Sequence, residues 1–252
     1  MLTYVFIGRV MPERTYVTIS IPPLLGREVI GLGRLDIMIS INLAQVSAVI
    51  KTTETVVNVP TLRNFVEQIV RTAVDAYGYI EGRGYDIEIT SVITPDGGQS
   101  VFGVEIDELQ KSKSERPVSF EGLWSLLGKC GELRQALADL REAIRSPLST
   151  AFFCFRAVEC LRQFFYKVED GDETGPSWER LRSALRVDRS WILPMETLAR
   201  AQRHGDFPTM SGSKQVEIMT HAWKVVDRFS EYARGGFAPL PEKGFDVLSG
   251  FS

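Results

Sequence analysis

The sequence predicts an α+β protein with two unlike halves: a mainly antiparallel β domain carrying one long helix, then an all-α helical bundle. Three observations predict this. Apolar side chains alternate with period two through much of residues 1–108, the mark of half-buried strands. Helical spacing takes over after residue 119. Between the two, the stretch DELQKSKSERPVS at 107–119 is almost free of apolar side chains, as a linker would be. The reading divides the chain into a β-rich domain over 1–108, a linker over 109–118, a helical bundle over 119–234 and an irregular tail over 235–252.

The predicted strands are 2–9, 15–21, 34–42, 46–53, 85–93 and 100–106, all rich in Val, Ile, Thr, Tyr and Phe. Leu35, Ile37, Ile39 and Ile41 are placed on one face, because strand side chains alternate. Pro95-Asp96-Gly97-Gly98 reads as a turn joining the last two strands into an antiparallel hairpin. One helix, 61–79, interrupts the strands, with Thr61 as N-cap after Pro60 and Gly78 and Gly82 as stop signals. Its apolar side is Leu62, Phe65, Val66, Ile69, Val70, Ala73, Val74 and Tyr77.

In the second half, 121–145 reads as one broken helix or two, with Gly128 and Gly131 at the break and Pro147 ending the stretch. The segment 149–168 is a very apolar helix, central in the bundle, in which Phe152, Phe155, Val158 and Leu161 are expected to be nearly buried. Ser177 is expected to cap a helix running to 186. Pro194 is expected in the first turn of the next helix, which ends near His204-Gly205. The last helix is 213–234, and the tail is expected to pack through Phe237, Phe245 and Phe251.

Composition excludes several classes. With 252 residues, 44% of them hydrophobic and 24% charged, the chain has the apolar content of a globular protein rather than a disordered one. No apolar run approaches the ~18–20 residues that cross a bilayer, so no membrane is expected. The opening MLTYVFIGRVMPER has no basic segment before its apolar run, and no signal peptide is expected. Three cysteines, Cys130, Cys154 and Cys160, all within helix-like segments, suggest a reduced, cytoplasmic chain. Residues 1–110 hold 8 basic and 13 acidic side chains (net −5), and 111–252 hold 21 and 19 (net +2). Neither half has the charge of a dedicated duplex binder.

No phosphate-binding G-x-x-x-x-G-K-[ST] loop occurs, and Gly31-x-Gly33 lacks the third glycine and the following helix of a dinucleotide site. Cys154 and Cys160 are six apart with no second pair and no clustered histidines, which argues against zinc. No cofactor or metal is expected.

Two constellations remain. Arg156, Glu159 and Gln163 form a polar stripe on the apolar helix 149–168. It is either a partly solvated edge with an intrahelical ion pair or the polar side of a cleft. Further on, Arg200, Arg203 and His204 share one side of a helix end, opposite Met195, Leu198, Ala199 and Gln202. This pattern allows a plain surface, with Glu196 paired to Arg200, His204 near the terminal carbonyls and Gly205 as an ordinary C′ residue. The spacing favours that plain surface; the alternative is an anion site. His221 falls near Glu217, Lys224 and Arg228 and is expected on a solvated face without a role.

The helical half resembles the HEPN superfamily of small helical bundles. The resemblance lies in an apolar helix with an internal Glu (AFFCFRAVECLRQFF), an Arg-to-His-Gly segment (RAQRHG), a short loop and a long closing helix (KQVEIMTHAWKVVDRFSEYAR), over about residues 120–234. Many such proteins resemble metal-independent ribonucleases that place an Arg and a His across a homodimer; others are non-catalytic. The resemblance implies His204 and Arg200 as catalytic, Arg203 and Arg156 as phosphate- or RNA-binding, and Glu159 and Gln163 as supporting residues. Here only three residues separate Arg200 from His204, and Ala201 stands where the family has a polar residue. Two functions follow as expectations. One is an RNA- or phosphate-binding protein with metal-independent endoribonuclease activity as its enzymatic form. The other is a non-catalytic homodimeric module whose β domain binds a protein or small ligand.

Overall fold

The computed structural model describes residues 1–250 except 57, 104–105, 112–113, 115 and 207–209. The chain forms two compact units, 1–105 and 106–252. The first is an antiparallel sheet with one helix and the second is helical, so the α+β reading holds.

The first unit contains β1 (Leu2–Met11), β2 (Ile19–Ser20), β3 (Leu24–Val29), β4 (Gly33–Asn42), β5 (Gln45–Thr52), α1 (Val59–Glu81), β6 (Asp86–Ile93) and β7 (Gln99–Val101). The sheet order is β2-β4-β5-β1-β6-β7, with β3 also pairing to β4. Leu35, Ile37, Ile39 and Ile41 all face the core, as the alternation predicts. The Pro95–Gly98 turn joins β6 and β7 as expected, with the Gly97 amide donating to the Thr94 carbonyl at 2.9 Å. β4 and β5 are joined by Leu43 and Ala44, at φ 48° and 66°. Both residues are left-handed, which matches the twist of a two-residue hairpin.

Three sequence expectations change here. The predicted strand 15–21 shrinks to Ile19–Ser20, because only Ile19 and Ser20 find partners on β4. β3 was not predicted, since LLGREV has no clean alternation and its register shifts between Leu24 and Arg27. The strand expected at 100–106 is only Gln99–Val101, and residues 104 and 105 lie outside the described residues.

β1 and β6 slip register between Ile7 and Gly8, where Thr90 is the extra residue and its hydroxyl donates to the Ile7 carbonyl at 3.1 Å. A Cβ at Gly8 would lie 2.4 Å from the Glu88 carbonyl oxygen. Backbone on both sides leaves nothing to move, so Gly8→Ala should destabilise this unit by about 1–3 kcal/mol, the range for overpacking. Urea unfolding checks it, and an unchanged midpoint would mean that the strands separate freely here.

α1 buries Leu62, Val66, Val70 and Val74 against the sheet side that carries Phe6, Ile37, Ile50 and Ile89. It starts earlier than expected. Asn58, not Thr61, is the N-cap, and its side-chain oxygen accepts from the Thr61 amide at 2.9 Å. Pro60 fits the first turn because no donor is needed there. Gly82, at φ 63°, ends the helix.

α1 also buries charge. Glu67 is 1% exposed, with its Oε2 at 2.7 Å from Arg63 Nη1 and its Oε1 at 3.2 Å from Arg71 Nη2. Arg71 reaches on to Asp86 at 2.7 Å, and Arg63 is itself buried against the Ile89 carbonyl and the Phe102 ring. Arg63 Nε has no hydrogen-bond partner among the described residues. Burial pushes the Glu67 carboxyl above the usual range despite the pull of both guanidiniums.

The second unit contains α2 (Asp107–Lys111), α3 (Phe120–Leu127), α4 (Gly131–Arg145), α5 (Thr150–Gln163), α6 (Gly175–Leu185), α7 (Arg189–Arg203) and α8 (Gly212–Arg234). α5 packs against α4, α7 and α8, and Ala151, Cys154, Ala157, Val158 and Leu161 are fully buried. Phe155 is buried too, but Phe152 is only partly covered and meets Phe153 edge-on. α5 stops at Gln163 rather than at 168.

Other boundaries also move. Part of the predicted linker is the helical turn α2, and residues 112, 113 and 115 of it lie outside the described residues. Ser177 is not a cap: it sits in the first turn of α6, buried, with its hydroxyl donating to the Thr174 carbonyl at 2.8 Å. Asp188 caps α7 by accepting from the Ser190 amide at 2.8 Å, so Pro194 lies inside the helix instead of in its first turn. The proline withholds the N–H that the Ser190 carbonyl would otherwise take, and its ring crowds that same carbonyl.

The tail is irregular but docked. Phe237 stacks on Phe164 at 4.9 Å, and Phe245 lies under Arg228. Leu248 forms an isolated parallel bridge with Val187. Phe251 lies outside the described residues. Among the described residues no helix is long and apolar enough to cross a membrane.

Candidate functional site

The polar stripe of α5 divides once its neighbours are known. Arg156 does not pair with Glu159. Its guanidinium holds Asp139 of α4, with Nε at 2.9 Å from Oδ1 and Nη2 on the same oxygen. Asp139 is fully buried and also accepts from Gln135 Nε2 at 3.3 Å, with the Cys160 thiol 3.6 Å away. Two rings, Phe152 at 5.7 Å and Phe153 at 5.2 Å, flank the same guanidinium. Arg156 is therefore committed to a buried carboxylate between α4 and α5. Burial, followed by the charge of Asp139, raises the Cys160 thiol to about 11.

Glu159 points another way. It is half-buried, and burial raises its carboxyl above the usual range, while Arg203 and then Arg162 oppose that rise. Arg203, in the last turn of α7, is exposed and lies 5.9 Å over the Phe155 ring. Phe155 stacks in turn on Trp178 of α6 at 5.9 Å. Arg162 covers Trp178 at 5.7 Å and donates to Ser177 Oγ at 2.8 Å. A carboxyl thus lies beside a stacked aromatic pair that is flanked by two guanidiniums.

Arg200 and His204 are exposed at the same end of α7. His204 is the C-cap residue, and its amide donates to the Arg200 and Ala201 carbonyls, both at 3.1 Å. Gly205 follows at φ 82°, as a C′ glycine does. The inward side of α7 is anchored by Gln202, whose Nε2 donates to the Leu148 carbonyl at 2.6 Å. Among the described residues no carboxylate is ion-paired with Arg200, Arg203 or His204. The anticipated Glu196–Arg200 pair is not formed. Gln163 is exposed and accepts from Arg162 Nη2 at 3.2 Å.

The fold thus gathers Arg203 and Glu159 at one place, with Arg200 and His204 on the same helix end, and turns Arg156 away. Arg162 and Trp178 were missed. Arg162 lies one turn beyond Glu159, and Trp178 is the lone aromatic of GPSWERLRSAL, a signal that needed the α5–α6 packing to be read. His221 also departs from expectation. It is 5% exposed, stacked on Trp191 at 3.9 Å, with its Nδ1 3.0 Å from the Trp191 carbonyl oxygen. Trp191 Nε1 donates to the His221 carbonyl at 3.1 Å, so the pair closes α7 onto α8. Glu217, Lys224 and Arg228 nearby in sequence hid the fact that this turn faces α7. Among the described residues no group of His, Cys, Asp or Glu is arranged to hold a metal ion.

Residues 4–102 match the model of a DUF8168 N-terminal domain, and residues 126–234 match that of a DUF8168 C-terminal domain, both domains of unknown function. The two halves match the two domains of one family. The DUF8168 match to the C-terminal domain takes in α4 through α8 and so contains Glu159, Arg162, Trp178, Arg200, Arg203 and His204. No curated protein and no solved structure matches the chain.

Proposed function

We propose that the helical unit binds the phosphates of single-stranded RNA at the C-terminal end of α7, in the manner of a HEPN-like protein. The observation that carries this reading is the pair of arginines: Arg200 and Arg203 are exposed on one helix end beside His204, and among the described residues no carboxylate is ion-paired to them. A guanidinium offers a phosphate paired donors as well as charge. Arg203 is positioned by its contact with the Phe155 ring, and burial raises the Glu159 carboxyl beside it above its usual range while Arg203 opposes that rise. His204 is the proton-transfer group if the bound RNA is cleaved. His221, packed on Trp191, offers no second imidazole to the surface. Binding is therefore favoured over fast turnover.

The test is titration of a single-stranded RNA by anisotropy at two salt concentrations in the presence of a chelator, with gel analysis of the recovered RNA. Arg200→Ala and Arg203→Ala should each weaken binding and reduce the salt slope by about one. His204→Ala should leave binding largely intact and remove any cleavage. Absence of binding at low salt by the folded chain would remove the RNA reading.

A further inference from the structure

α3 carries a feature that the phosphate surface does not use. Leu123, Leu126 and Leu127 pack inward on the helical core. Phe120 and Trp124, one turn apart, face out at 74% and 69% exposure, with their rings stacked at 6.3 Å. Two large aromatics on one exposed turn are the side chains that dominate association energies when buried.

The charges around them are arranged by polarity. Glu121 stands exposed at the N-terminal end of α3, with its carboxylate on its own backbone amide and on Ser119. Arg134 stands at the C-terminal end, with its Nη1 donating to the Leu127 carbonyl at 3.2 Å, and Lys129 is exposed beside it. Glu132, with its Oε2 3.4 Å from the Cys130 sulfur, follows at that same end, so this end is positive by one charge and the other is negative by one, with the aromatic pair between. Such a surface is complementary to itself when two copies meet antiparallel about a two-fold axis, each negative end against the partner's positive end.

We propose that this face of α3 is an interface between two copies of the chain, in which Phe120 and Trp124 of each copy pack on those of the other. Area sets the strength. Four such rings, already partly covered, would bury roughly 400–700 Å². With the flanking polar residues the contact stays near the low end of specific interfaces, so the dimer is weak and concentration-dependent. A base-stacking platform for nucleic acid fits less well. Glu121 and Glu132 balance Lys129 and Arg134 in sign, whereas such platforms combine aromatics with net positive charge.

Sedimentation velocity of the full chain up to about 100 μM, the regime of weak association, decides it. The mass should rise toward twice 28.3 kDa. Trp124→Ser and Phe120→Ser should each weaken the dimer by about tenfold or more, with circular dichroism unchanged. Glu121→Lys and Arg134→Glu should each weaken it, and the two combined should restore it, which a folding defect would not do. A single-chain mass at every concentration would overturn the proposal, as would a dimer indifferent to the double aromatic change. If Trp124→Ser lowers RNA affinity and leaves the mass unchanged, the face belongs to nucleic acid and the proposal fails. RNA binding at α7 that survives in the monomeric aromatic variants would leave the phosphate reading standing by itself.

Discussion

Replacing Glu67 with leucine should destabilise the first unit by about 3–5 kcal/mol, the cost of removing one partner from a buried ion pair. Arg63 would be left buried with its charge uncompensated, while Arg71 would keep Asp86. The double change Arg63→Met with Glu67→Leu should recover most of the loss, because well-packed apolar groups of similar volume often match or exceed such a pair. Urea unfolding of the three proteins checks both statements. The sign with pH also follows. Burial raises the folded-state pKa of Glu67 above its unfolded value, so the folded state holds the proton more tightly. The stability linked to this group is fully present below the unfolded pKa and is lost as pH rises through the folded one. That loss should be absent from the double variant. If Glu67→Leu alone costs nothing, the buried Arg63 does not depend on this carboxyl for its compensation.

Phe155→Ala should cost the helical unit about 3–5 kcal/mol, since the cavity would open between α5 and α6 in a well-packed region. The ring does two jobs. It stacks on Trp178 inside the bundle, and its other contact supports the Arg203 guanidinium. A loss of stability should therefore be accompanied by a looser Arg203. Equilibrium unfolding gives the first effect, and a change below about 1 kcal/mol would place α5 at a tolerant surface.

The sequence made the faces of elements legible but not their neighbours. Alternation in β4 placed Leu35, Ile37, Ile39 and Ile41 correctly, and helical spacing placed Leu62, Val66, Val70 and Val74. Both are local periodicities that burial enforces. Caps proved harder. Thr61 and Ser177 have the right chemistry, but Asn58 and Thr174 precede them as the residues that flank the helices. At the candidate site the local pair Arg156–Glu159 was the natural reading, yet Asp139, seventeen residues earlier, holds the arginine. His221 similarly meets Trp191, thirty residues away. A single sequence carries no trace of such pairings. They depend on which helix face meets which, and charged neighbours in sequence conceal them.

The sheet order has a consequence for how the two units form. β1 is an interior strand whose partners, β5 and β6, end at Thr52 and Ile93. Residues from the start of the chain must therefore wait for segments far along it before they can pair. The helical unit instead gains many of its contacts from neighbouring helices, such as α4 against α5. Loop-closure entropy delays distant pairing much more than local pairing. Although it leaves the ribosome first, the sheet unit is thus expected to be the slower to acquire its native order, with its interior strand β1 the part longest exposed to wrong partners.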